Sequence, residues 1–148
     1  MRRLAKAMAL AAVLFLPGAA HAVSVGLDLG GGYWFGDGGR GRADFHVRVD
    51  WRLGRYVSFG LRPGVLFHFG GPPFEVGLPV DAVFRFHIPH VYFDVLGGLA
   101  ILFANPSPFR PNVAVGFGVP FARHWSIGGE AGWMYNGAQL LLRFSYTF

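Results

Sequence analysis

From Val23 to the C-terminus, apolar and polar side chains alternate with a period of two. In the first segment Val23, Val25, Leu27, Leu29, Tyr33 and Phe35 share one parity, and Ser24, Gly26, Asp28, Gly30, Gly32 and Trp34 share the other. The second segment sets Phe45, Val47, Val49, Trp51 and Leu53 against Asp44, His46, Arg48, Asp50 and Arg52. Alternation of this kind predicts a strand with two unlike faces, because successive side chains of an extended backbone point to opposite sides. A helix would instead gather Asp44, Phe45 and Arg48 on one side. The same pattern predicts six further strands, over 56–69, 76–88, 91–103, 111–121, 125–135 and 138–148.

The connections are short. A glycine-rich stretch spans 36–42, and Gly54-Arg55, 70–75, Pro89-His90, 104–110, 122–124 and Asn136-Gly137 join the later strands. None is long enough for a parallel crossover, so all eight strands are expected to be antiparallel and in sequence order. Asn-Gly between alternating segments is a strong hairpin signal. Pro63, Pro79 and Pro120 fall inside predicted strands. A closed sheet offers proline no free edge, so bulges are expected there.

Volume decides which face is inside. One face carries no charge and is dominated by large apolar residues, including many of the 16 Phe. The other holds Asp28, Asp44, Arg48, Asp50, Arg52, Arg62, Asp81, Arg85, Asp94, Glu130 and Arg143, interspersed with glycine. An eight-stranded barrel is only just wide enough inside for side chains to fill. The bulky apolar set does not fit there, whereas glycine, serine and a few polar chains do. The expected fold is therefore all-β: an eight-stranded antiparallel up-and-down transmembrane β-barrel, apolar outside and polar and glycine-rich inside. Closure satisfies every backbone group without an edge, which hydrocarbon demands. Aromatics cluster near strand ends, with Trp51, Tyr56, Trp125, Tyr146 and Phe148 at one end and Tyr33, Phe69, Phe103, Trp133 and Tyr135 at the other. They are expected to form two interfacial girdles.

Composition agrees. Charged residues make up only 14% of the 148, against about 25% in ordinary soluble domains. Cysteine is absent, which excludes a disulfide scaffold and any thiol site. Residues 1–22 begin with Arg2, Arg3 and Lys6, continue with an apolar run over 7–16, and end on Ala20-His21-Ala22. They read as a cleaved secretory signal peptide, leaving 23–148 as one barrel domain. The leader carries three of the 13 basic residues, so the net charge of +5 is partly a targeting feature. No basic run remains, and no nucleic-acid partner is expected.

The C-terminal segment ends on Phe148, with Tyr146, Phe144, Leu142 and Leu140 on the same face. In this ending and in the eightfold alternation, the chain resembles the small eight-stranded outer-membrane β-barrel proteins of Gram-negative bacteria. The resemblance implies an outer-membrane location, periplasmic termini, outer-membrane lipids as surroundings, and recognition of the C-terminal strand by the barrel-assembly machinery. It also implies that the connections at 36–42, 70–75, 104–110 and 136–137 face outward from the cell. They are short for that family, which argues against an adhesin.

The candidate chemistry lies in the lumen. Asp28, Arg48, Arg62, Asp81, Glu130 and Arg143 are expected to form a belt near mid-height, with Asp50, Arg85 and Asp94 completing a self-neutralising charge network. Buried charges must be paired, so a structural salt-bridge plug is the first expectation and a narrow gated channel for ions or small solutes the alternative. The histidines lack ligand spacing, and neither a metal nor a cofactor is expected. His124-Trp125-Ser126 has the His-x-Ser spacing of outer-membrane lipid A deacylases, but Glu130 lies about 13 Å along the strand from Ser126, too far to orient a base. No catalytic residue is expected. Gly31, Gly97 and Gly129 on the apolar face are candidates for a self-association groove.

Overall fold

A computed structural model describes residues 23–36, 38–71, 73–103 and 108–148. The leader segment lies outside the described residues. Eight strands follow one another: β1 (Val23–Trp34), β2 (Arg40–Arg52), β3 (Val57–Phe69), β4 (Glu75–Ile88), β5 (Val91–Leu102), β6 (Phe109–Pro120), β7 (Trp125–Met134) and β8 (Gly137–Thr147). Each pairs antiparallel with the next, and β1 pairs with β8 to close the barrel. At ten to fourteen residues, tilted, the strands are long enough to cross a bilayer.

The stagger of the barrel can be read from the pairing. Ser24 leads through Asp50, Gly60, Val83, Leu96, Ala114, Gly132 and Gln139 back to Trp34, ten residues further along β1. With about 3.3 Å of rise per residue and about 4.8 Å between strands, this shear tilts the strands by roughly 40°.

The two faces are sharply different. Leu29, Val113, Phe117, Leu140 and Leu142 point outward and are more than half exposed, whereas Asp28, Arg62, Asp81 and Arg143 are buried inside. Inward glycines make room for the long polar chains. A Cβ on Gly30 would lie 1.9 Å from an Asp44 carboxylate oxygen, and one on Gly118 would lie 2.1 Å from the Tyr92 ring.

Three expectations need correction. First, no bulge interrupts the ladders at Pro63 or Pro79. The β2–β3 register runs on unchanged from His46↔Gly64 to Val49↔Leu61, and the β3–β4 register from Pro63↔Val80 to Leu66↔Gly77. Each proline leaves a local gap in one ladder, since it lacks an N–H to donate, while closure holds the strand on both sides. Pro120 sits at the last position of β6. Second, β2, β4 and β6 start earlier than the glycine-rich and proline-rich connections suggested, which brings Arg42, Glu75 and Arg110 into strands. Third, the last hairpin turns at Tyr135-Asn136, because Gly137 pairs with Met134 as the first residue of β8. Tyr135 accordingly takes a left-handed φ of 55°. In the β4–β5 hairpin Pro89 precedes His90, whose φ of 69° suits the third position of a type II turn.

Candidate functional site: the lumen

The polar face of the strands converges on the barrel axis. Arg62 of β3 reaches across the lumen to Glu130 of β7 at 2.8 Å and to Asp81 of β4 at 3.0 Å. Arg143 of β8 pairs with Asp94 of β5 at 2.5 Å and contacts Glu130 at 3.4 Å. Arg85 clasps Asp94 through two nitrogens at 2.7 and 2.8 Å. These contacts join Arg85, Asp94, Arg143, Glu130, Arg62 and Asp81 into one connected chain. Planar guanidinium groups suit it, because each can serve two carboxylates at once. Arg48 sits in a separate group, donating to Asp28 at 2.7 Å and to Asp50 at 2.6 Å. All nine residues singled out from the sequence are thus ion-paired, but in two groups rather than one belt.

The network continues toward the end opposite the termini through residues that sequence reasoning did not single out. Asn112 donates to Asp81 at 2.9 Å, Gln139 donates to Asn112 at 2.8 Å, and Arg42 donates to Gln139. Arg42 also pairs with Asp44 at 2.9 Å. His68 contacts Glu75 at 3.3 Å, and Arg40 contacts Glu75 at 3.2 Å. The signal for Arg42 was present: counting back in twos from Asp44 reaches Arg42 and Arg40. The glycines around them mask strand character, because glycine is a turn residue by default.

The same end also holds an apolar layer inside the barrel. Trp34, Leu66, Ala100, Leu102 and Met134 are buried together. The Trp34 indole stacks on His68 at 4.8 Å and donates to the Met134 carbonyl at 3.3 Å. A smaller inward cluster joins Val83, Leu96 and Ala114. The lumen is therefore polar with two apolar layers set into it.

On the outside, Trp125, Tyr146, Phe144 and Phe148 form a contiguous aromatic group at the terminal end, with centroids 4.6–5.0 Å apart. Trp51 stacks on Phe59 at 6.2 Å, and Arg55 lies over the Tyr56 ring at 5.2 Å, also at this end. At the other end Tyr33 packs on Phe35 at 5.0 Å, and the Trp133 indole donates to the Tyr135 carbonyl at 2.9 Å. Leu140, Leu142, Phe144 and Phe148 are exposed along the outer face of β8 and beyond it. Gly31 and Gly129 flank a shallow outer groove, and nothing lies within 4 Å of a Cβ placed on Gly31.

His124 and Ser126 do not meet. The His124 imidazole pairs with the Thr147 carbonyl at 2.7 Å, whereas the Ser126 hydroxyl is 3.0 Å from the Tyr92 hydroxyl. Glu130 is engaged by Arg62 and Arg143. Among the described residues no cluster of His, Asp and Glu suits a metal ion.

No protein-family model and no curated protein matches the sequence. Solved structures do. A de novo designed transmembrane β-barrel superposes with a TM-score of 0.64 at 14% identity, over 84% of this chain and 95% of the design. The N-terminal β-barrel domain of Pseudomonas aeruginosa OprF gives 0.58 at 17% identity, over 84% and 97%. Neisserial surface protein A gives 0.56 at 11% identity, over 84% and 95%. The fold is that of the eight-stranded outer-membrane β-barrels. The likeness extends to a designed barrel, so it reflects strand number and closure.

Proposed function

We propose that this is an integral outer-membrane barrel with a closed lumen, serving as a structural component of the envelope. The observation that carries this reading is the chain of ion pairs from Arg85 through Asp94, Arg143, Glu130 and Arg62 to Asp81, which joins β3, β4, β5, β7 and β8 across the interior. Passage of an ion would require parting charges buried against one another, where attraction is least screened. The leader would deliver the chain to the envelope. Both termini would then face the periplasm, and the outward row Leu140, Leu142, Phe144, Tyr146 and Phe148 would present the strand read by the assembly machinery. The apolar exterior supplies the surface that lipids cover.

Planar-bilayer conductance of the refolded 23–148 chain tests the reading, with heat-dependent gel mobility as the insertion control. A heat-modifiable band with electrical silence is the expected result. Discrete conductance steps would replace the plug with a gated channel. A soluble, heat-insensitive protein would overturn the membrane assignment.

A further inference from the structure

Six arginines are buried in the barrel: Arg42, Arg48, Arg62, Arg85, Arg110 and Arg143. Five of them lie 2.5–2.9 Å from a carboxylate. Arg110 is the exception. It is 4% exposed, no carboxylate among the described residues lies within ion-pair distance, and its Nε and Nη1 have no hydrogen-bond partner. Its one described contact is with an aromatic face, the guanidinium carbon lying 3.8 Å from the Tyr135 ring centre.

That ring belongs to a residue in a left-handed backbone conformation, φ 55°, at the tip of the β7–β8 hairpin. A bulky residue there is strained, and such strain persists only where surrounding contacts hold it. The Trp133 indole bonds the Tyr135 carbonyl at 2.9 Å, and the Tyr135 N–H donates to the Pro111 carbonyl at 2.9 Å. A strained residue is thus pinned against an uncompensated cation. Arg110 lies near the start of β6, at the mouth opposite the termini. The other cations of this mouth are matched, Arg40 by Glu75 and Arg42 by Asp44. Among the described residues of this mouth, Arg110 is thus the arginine without a carboxylate partner.

We propose that Arg110, backed by Tyr135, is an oxyanion-binding site for a phosphate group. Cation–π contact steadies the guanidinium and leaves Nε and Nη1 buried without a hydrogen-bond partner, and N–H groups in that planar fork match phosphate oxygens in spacing and charge. The phosphate is either free in solution or carried on a lipid headgroup at the membrane surface. This goes beyond the structural role proposed above and does not depend on whether the lumen conducts.

The test titrates inorganic phosphate, at constant ionic strength, into the refolded 23–148 chain in octyl glucoside, read by calorimetry. A parallel arm adds phosphatidic acid to the micelles and reads the shift in thermal midpoint against micelles with phosphatidylcholine. Heat-dependent gel mobility in every sample establishes that the barrel has formed, so failure of the fold is distinguished from failure of the site. Saturable phosphate binding, weakened at least about tenfold in Arg110→Gln and unchanged in Arg55→Gln at the other end, is expected for free phosphate. A phosphatidic acid shift without inorganic phosphate binding, again lost in Arg110→Gln, assigns the site to a headgroup. Arg110→Lys keeps the charge and loses the planar fork, so it binds more weakly than wild type and more tightly than Arg110→Gln. A folded wild-type barrel that responds to neither probe, or whose response survives Arg110→Gln, overturns the proposal.

Discussion

The lumen is filled in two ways, by different physics. Toward the middle and the terminal end, the contacts are ionic: Arg62 serves Glu130 and Asp81, and Arg143 serves Asp94 and Glu130. Toward the opposite mouth an apolar layer of Trp34, Leu66, Ala100, Leu102 and Met134 is packed beside the ion pairs of Arg42 and Glu75. The ionic region is strong only as a unit, since removing one partner strands the others in a site without water to solvate them. The apolar region loses contacts roughly in proportion to the volume removed. One barrel interior thus carries an all-or-none network and a graded one.

Breaking the ionic side should have the largest effect. Arg62→Ala leaves Glu130 and Asp81 each short of a counter-charge, and should lower stability by about 3–5 kcal/mol. Denaturant unfolding from phospholipid vesicles, followed by tryptophan fluorescence, measures it. A loss below about 1 kcal/mol would mean that Arg62 is not the hub. Breaking the apolar side costs somewhat less. Leu102→Ala should lower stability by about 2–4 kcal/mol in the same assay, with the ion-pair chain left in place and the bilayer still silent. The smallest effect is the sharpest test of the contrast. Arg62→Gln and Arg143→Gln share Glu130, so their costs should deviate from additivity by about 0.5–3 kcal/mol. Arg62→Gln and Leu102→Ala belong to different regions and should add to within about 0.5 kcal/mol. Equal coupling in the two cycles would dissolve the distinction.

Strand number, order and the inward or outward sense of each side chain were legible in the alternation, because a two-residue period has only two possible phases and volume forbids one of them. Strand ends were less legible. Arg42 sits among glycines and Glu75 and Arg110 beside prolines, all of which read locally as loop, while ladder pairing with a neighbouring strand carries them into the barrel. The prolines were misjudged for a related reason. Local rules ask for a bulge at Pro63, yet a strand held on both flanks tolerates a missing donor without changing register. The interior tryptophan was visible as a face assignment, since Trp34 has the parity of Asp28, but its neighbours Leu66, Leu102 and Met134 come from three other strands.

By itself, then, the sequence determined a chain of alternating segments whose bulky face must lie outside and whose charges must lie inside. Which charges meet was decided only in three dimensions. Arg62 and Glu130 are 68 positions apart and four strands apart, and they touch because closure brings β3 and β7 to opposite walls of a narrow lumen. The ten-residue stagger sets the height at which each inward side chain enters that lumen. It is a property of the whole ring of pairings, so no single segment encodes it. The same stagger gives five buried arginines a carboxylate and leaves Arg110 against an aromatic ring.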